Sequence, residues 1–444
     1  MPGLYARGPR MTGEGEVHRK AVFWIGILAL FAAGVSAALR AATAAQLKAT
    51  YLDTIDPARS VTLIAEALGS AFLGFCLALV VTSLFLDRIG MKRMIMVAAA
   101  SFVIGPLLVI LCGSFGPAGA YQAIWLGMFV NGLGWGATEG TINPMVSALY
   151  PEDTTHRMNI LHAWWPAGLV VGGLLGILGT GGAMDWRLMF ALVPLMGIAI
   201  ALWAATKRFP QTTSAALGVS RGGQMRELIR RPSFFIWFAL MLLTAASELA
   251  PGQWVDVSLS NVVGMRGVLL LSYVAAIQFV GRHFAGPIER RFSTEGMLCL
   301  SCVLCTIGLF SLGYARSPAM AILSATLWGA GVCFIWPTMI AVAAQRYPRA
   351  GALSIGLMGV AGSISTWFVL PVLGAIYDSA KIEAAGGAAR FEALGGEQLQ
   401  AVLTYAASQS FKAVAVIPAV LVAVFGLLWL LRGRTARTAS AAAE

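Results

Sequence analysis

Twelve apolar runs follow one another along the chain, each about long enough to cross a bilayer, and they leave little room for any other architecture. They fall near residues 21–45, 61–86, 94–113, 121–149, 159–182 and 188–206, then 233–256, 267–288, 297–314, 319–344, 353–376 and 410–431. A helix needs about 20 apolar residues to span hydrocarbon. The runs are too long and too continuous for tilted barrel strands, so each reads as a transmembrane helix. Composition agrees. Apolar residues make up 58% of the 444 and charged residues only 11%, against about 25% charged in ordinary soluble domains. This excludes a cytosolic enzyme, a secreted disulfide scaffold and a disordered chain. The first run is preceded by Arg19 and Lys20 but is too long for a signal-peptide core, so it reads as an uncleaved first span.

The basic residues set an orientation. With the N-terminus placed in the cytoplasm, 21 of the 31 Lys and Arg lie on that side and eight on the other, with Arg40 and Arg282 inside spans. That asymmetry predicts both termini inside, which requires an even number of spans. The net charge of +11 is thereby assigned to topology and lipid head groups rather than to nucleic acid. Residues 1–20 form a cytoplasmic tail, 21–206 a first six-helix bundle, 207–232 a basic cytoplasmic linker, 233–431 a second bundle and 432–444 a second tail. The outer segment 377–409 reads as a long loop with one short helix, with turns at Gly386-Gly387 and Gly395-Gly396.

The halves echo each other. Asp87-Arg88-Ile89-Gly90 ends the second span and Glu289-Arg290-Arg291-Phe292 ends the eighth, 202 residues on; Asn143-Pro144 and Trp336-Pro337 lie late in spans four and ten. Two six-span repeats are a known transporter plan.

A charge at the bilayer centre costs about 2.5–3.5 kcal/mol on insertion scales, so the few present face water or one another. Glu139, in span four, is either a proton carrier or a structural carboxyl capped by a neighbouring donor, and Asn143, one turn further along the same face, either meets a solute or relieves backbone groups freed by Pro144. The Asn143 amide both donates to and accepts from hydroxyl groups. Glu248, in span seven and placed toward the outside, precedes Pro251-Gly252, where the helix is expected to break or bend; Gln253 and Trp254 then offer an amide and a ring to a solute. Arg40 has three readings: pairing with Glu248, snorkelling outward, or binding an anionic group on the solute. Arg282 and His283, near the cytoplasmic end of span eight, either snorkel or serve a gate. His162 is either a packing residue or part of the site, as are Trp164, Trp165, Trp336 and Trp367, and Glu66 reads as solvated. Gly168, Gly172 and Gly176, and Gly356, Gly359 and Gly362, allow close helix approach. Cys299, Cys302 and Cys305 are spaced as in some metal sites, but no fourth ligand follows, and they read as packing residues.

Leu86-Asp87-Arg88-Ile89-Gly90-Met91-Lys92-Arg93 resembles the hallmark loop of the major facilitator superfamily, although Ser83 and Met91 stand where that motif carries a glycine and a basic residue. Several further segments resemble the fucose permease-type sugar:proton symporters. They are Glu139–Pro144, Tyr150-Pro151-Glu152, Arg157–His162, Glu248–Trp254, Gly281-Arg282, Trp336-Pro337-Thr338 and Gly351-Ala352-Leu353. The resemblance implies an all-α major facilitator fold of twelve transmembrane helices in two pseudo-symmetric six-helix bundles. It also implies alternating access, with Asp87, Arg88, Gly90, Arg93 and Arg282 in gating, Glu139 and Glu248 in proton coupling, and Asn143, His162, Gln253, Trp254, Arg40 and Trp336 at the solute. Such permeases can carry an acidic residue in the first span; this chain has Arg40 there and no carboxylate.

The sequence thus points to a secondary transporter in the cell membrane, the inner membrane where there are two. Its expected cargo is a small hydroxylated solute, a sugar first, together with protons. The alternative is an organic anion or drug-like solute; a membrane enzyme or receptor is more remote, since no catalytic set is apparent. No P-loop, metal or cofactor site is present in the sequence, nucleic acid is not a partner, membrane lipid is, and a monomer is expected.

Overall fold

The computed structural model describes residues 17–56, 60–180, 185–259 and 267–441, and these are helical with no strand. In chain order the helices are α1 (Arg19–Leu47), α2 (Ser60–Ile89), α3 (Met91–Ile110), α4 (Gly116–Leu149), α5 (Thr154–Thr180), α6 (Trp186–Ala205), α7 (Thr213–Ala216), α8 (Arg221–Ile229), α9 (Pro232–Leu259), α10 (Gly267–Arg282), α11 (Ala285–Leu312), α12 (Pro318–Val332), α13 (Ile335–Arg346), α14 (Ala352–Ala385), α15 (Ala388–Glu392) and α16 (Gly396–Ala441). Each of the twelve apolar runs falls on a helix, the tenth on α12 and α13 together. Among the described residues, nine helical segments are long and apolar enough to cross a membrane, and two shorter apolar ones, Leu269–Arg282 and Ala352–Ser365, accompany them. The apolar faces left outside fit lipid. Leu188, Leu195 and Leu202 recur every seven residues on α6 with 67%, 63% and 67% of their surface open. Seven residues is two helical turns, so they form one stripe that water would not tolerate and hydrocarbon would.

Two compact units are present. The first takes residues up to Thr154, Val171–Pro232 and Ala343–Leu357; the second takes Thr155–Val170, Ser233–Val342 and residues from Met358 onward. In the first, α2 packs on α4, α3 on α4 and α3 on α6; in the second, α10 packs on α12, α11 on α12 and α11 on α16. The pairs are the same once six spans are added to each number, so the repeat seen in sequence extends to packing. The core of the second unit gathers Leu270, Val274, Leu309, Trp328 and Phe411.

Glycines allow a close crossing of α4 and α2 in the first unit. A methyl at Gly132 would overlap the Ala71 carbonyl oxygen, and one at Gly136 the Phe75 carbonyl. This stripe on α4 seats it against the backbone of α2. Gly132→Ala is expected to lower stability by about 1–3 kcal/mol through overpacking. Gly69→Ala, where a methyl meets nothing within 4 Å, is the neutral control in a detergent melting experiment.

The structure revises three sequence expectations. Of the break or bend expected at Pro251, the break is excluded: α9 continues to Leu259, since membrane helices tolerate a proline whose freed groups find other partners. The outer segment 377–409 is mostly helix, because α14 continues to Ala385 and α16 begins at Gly396; turns remain at Gly386, Gly387 and Gly396, all with positive φ. The internal echo also shifts by one residue. Gly90, between α2 and α3, has φ 86° and ψ 145°, and its conformational counterpart is Ser293, with φ 63° and ψ 171°. At this turn the offset is therefore 203 residues, which sets Asp87 against Arg290. Serine in that region carries strain of about 1–3 kcal/mol. Ser293 Oγ accepts the Gly296 N–H and donates to Glu295 Oε2, both at a long 3.4 Å. Ser293→Gly is expected to raise stability by about 1 kcal/mol, read as a higher melting temperature; a lower one would assign the strain to a needed side-chain role.

Candidate functional site

In the second unit, prolines open the helical backbone and side chains fill the openings. A proline within a helix blocks the hydrogen bond to the carbonyl four residues earlier. Pro166 so frees the His162 carbonyl, Pro251 frees Ser247 and Pro337 frees Cys333. The Ser247 carbonyl accepts the Trp328 Nε1–H at 3.3 Å. The other two carbonyls accept from one side chain, Arg282, the last residue of α10. Its Nε donates to the Cys333 carbonyl at 2.7 Å and its Nη1 to the His162 carbonyl at 2.7 Å.

Arg282 Nη2 reaches Glu248 Oε1 at 3.0 Å, and both side chains are almost wholly enclosed. Glu248 Oε2 accepts the backbone N–H of Trp336 at 3.2 Å. That N–H lies in the first turn of α13, where helical N–H groups lack intrahelical partners. The gap between α12 and α13 thus contributes one orphan carbonyl and one orphan N–H, and the ion pair satisfies both. Trp336 is fixed in turn by its ring, which packs where a Cβ on Gly362 would sit. Of the two readings of Arg282, snorkelling is thereby excluded: the side chain is enclosed and pairs with Glu248.

α5 joins the same cluster. Besides the His162 carbonyl, Asn159 Nδ2 donates to Thr338 Oγ1 at 3.2 Å, and His156 Nδ1 accepts the Gly286 N–H at 3.0 Å. His162 itself is buried. Gln253 and Trp254 lie on α9, but their side chains, like that of Trp367, fall outside the described residues.

In the first unit, Glu139 and Asn143 are both buried, and Asn143 Nδ2 donates to Glu139 Oε2 at 3.1 Å and to the Glu139 carbonyl at 2.9 Å. A second polar group joins α1 to α4. Ser36 Oγ donates to Asn131 Oδ1 at 2.8 Å; Arg40 Nη1 donates to the same oxygen and to Ser36 Oγ at 3.2 Å. Glu66 is exposed, as expected, and accepts a hydrogen bond from the Tyr121 hydroxyl.

Asp87, at the end of α2, accepts from Thr212 Oγ1 at 2.5 Å, Ser214 Oγ at 2.9 Å and Gln224 Nε2 at 2.5 Å. The linker helices α7 and α8 are tied to α2 through this carboxylate. Lys92 caps the C-terminal end of α6 through the Ala205 carbonyl at 2.7 Å, Arg88 and Arg93 are exposed, and Gly90 supplies the turn. Cys302 and Cys305 are buried, and among the described residues no three His, Cys, Asp or Glu side chains gather as for a metal ion.

Sequence reading missed Ser36, Asn131, Asn159, Thr338 and the linker partners of Asp87. Ser36 carried a signal, one turn from Arg40, whereas Asn131 is flanked by apolar residues and glycine, 12 residues before Asn143 in the same span.

The described residues thus form a helical, polytopic membrane fold with packing repeated between its two units and with buried ionic and polar groups. The sequence matches the Major Facilitator Superfamily over residues 21–371, and the chain belongs to that family. No curated protein sequence matches it. Among solved structures, the fold is similar to the Escherichia coli fucose:proton symporter FucP, at 16% identity over 90% of this chain and 98% of that one, with a TM-score of 0.66. It is similar to the proton:xylose symporter XylE, at 14% identity over 91% and 94%, with a TM-score of 0.70. It is also similar to the human organic anion transporter MFSD10, at 12% identity over 92% and 100%, with a TM-score of 0.68. At such identities the likeness is one of fold.

Proposed function

We propose that this chain is a secondary active transporter that moves a small hydroxylated solute of sugar size by alternating access with proton symport. Residues 21–206 and 233–431 act as its two lobes, 207–232 as their tether, and both termini lie in the cytoplasm. The single observation that carries the reading is the Glu248–Arg282 pair, held in the membrane on backbone groups that prolines and a helix gap have released. Such a pair is a poor way to stabilise a fold, since apolar residues of similar volume serve as well or better. Its place beside a discontinuous helix is where carriers put solute and coupling-ion groups. Glu139, with its hydrogen-bonded Asn143, is the second carboxyl able to change charge. The fucose and xylose symporters of like fold support a hydroxylated cargo.

In this reading Glu139 and Glu248 take up and release the proton. Asn143, His162, Gln253, Trp254, Arg40 and Trp336 line the solute path. Asp87, Arg88, Gly90, Arg93 and Arg282 govern the gate. The test is uptake by purified protein in proteoliposomes with an imposed pH gradient, across neutral sugars and hydroxylated acids. Accumulation that requires the gradient supports symport; equal uptake with and without it rejects coupling.

A further inference from the structure

We infer that the transported solute carries a carboxylate and that Arg40, Asn131 and Ser36 receive it; this rests on the transport reading above and specifies its substrate class. Arg40 is 5% exposed and sits in α1, inside a membrane span. Its hydrogen-bond partners are Ser36 Oγ and Asn131 Oδ1, both neutral, and among the described residues it has no carboxylate. The contrast with Arg282, whose charge is matched by Glu248, is direct. A buried cation without a counter-charge is among the least tolerated groups in hydrocarbon.

Asn131 supplies the second, independent observation. It is 2% exposed, its Oδ1 already accepts from both Ser36 and Arg40, and its Nδ2 has no hydrogen-bond partner. Two donors on one oxygen fix the amide orientation, so the free end is the NH2. The cluster therefore holds a fixed positive charge, a spare guanidinium edge and an unused amide donor. Every unmet need is for an acceptor, and the net need is for one negative charge. A carboxylate meets all of these, since a guanidinium binds it bidentately and the amide N–H can take either oxygen. A neutral sugar hydroxyl would satisfy the donors and leave the charge. With the hydroxyl-binding groups assigned above, the expected class is a polyhydroxy acid of hexose size.

The experiment uses the full chain. Melting of the detergent-solubilised protein is followed with D-glucuronate, D-gluconate, D-glucose, chloride or sulfate, and uptake of the three organic solutes is measured in proteoliposomes under a pH gradient. The expected result is a rise in melting temperature with one or both acids and not with glucose, and uptake of that acid at least tenfold above glucose. Arg40→Gln removes the charge and keeps a hydrogen-bonding amide. It should melt no lower than the wild type in the absence of solute, yet lose the shift and at least tenfold of acid uptake, while Arg40→Lys keeps part of both. Asn131→Leu should weaken acid uptake with a higher KM. Glucose taken up as well as the acids, unaffected by Arg40→Gln, overturns the carboxylate and leaves the transport reading standing. A shift with chloride or sulfate alone overturns it in favour of an inorganic anion. A wild-type shift with acid, lost in Arg40→Gln, but no uptake under any gradient, keeps the site and rejects transport.

Discussion

Arg282→Met is expected to be the most damaging single substitution in the second unit, lowering stability by about 3–5 kcal/mol, the range for breaking one side of a buried ion pair. The loss has two sources. Glu248 keeps its charge or must take a proton in a dry setting, and the carbonyls of Cys333 and His162 lose their donor. The two are separable. Arg282→Met combined with Glu248→Gln removes the unpaired charge but still leaves both carbonyls bare, each costing about 1–3 kcal/mol. The double variant should therefore melt above Arg282→Met and below the wild type. A double-mutant cycle should give a coupling energy of about 0.5–3 kcal/mol, as for directly interacting residues. Strict additivity would show that the pair does no more than fill space. Restored melting without restored uptake in the double variant would place the pair in transport as well as in folding.

Much of this cluster was written in the sequence, in a form that gives one partner of each interaction and not the other. Pro166, Pro251 and Pro337 name the freed carbonyls by counting back four residues. Arg282 and Glu248 announce themselves as rare charges in apolar runs. What the chain does not display is that residues 162, 248, 282 and 333 converge, because convergence comes from helix packing between segments up to 171 residues apart. The twelve runs were legible because hydrocarbon demands length and continuity. The segment 377–409 was misread for the converse reason: its polarity suggested a loop, whereas alanines such as Ala384, Ala385, Ala388 and Ala389 carry strong helix propensity. The echo between halves slipped by one residue because the match was made on acidic side chains. The conserved geometry is the positive-φ turn at Gly90 and Ser293. Asn131 escaped notice because a single amide amid glycine and apolar residues has no pattern; its meaning appears only beside Arg40.

Glu139→Gln is expected to abolish proton-driven accumulation while leaving solute exchange intact. For one proton carried with each solute, a gradient of one pH unit supplies about 1.4 kcal/mol, which supports about tenfold accumulation when no membrane potential opposes it. The variant should bring that ratio to one. Glutamine preserves the shape of the side chain and can still accept from Asn143 Nδ2, which lies 3.1 Å from Oε2 in the wild type. Binding and equilibrium exchange of solute across the two membrane faces should therefore persist, and the melting temperature should stay near that of the wild type. What glutamine cannot do is change charge. If the carboxyl exists to be charged in one half of the cycle and neutral in the other, a permanently neutral side chain lets the empty and loaded carriers turn over without a proton, and the gradient no longer does work on the solute. Accumulation near tenfold in Glu139→Gln would remove this residue from the coupling path and leave Glu248, gripped by Arg282, as the group that carries the proton.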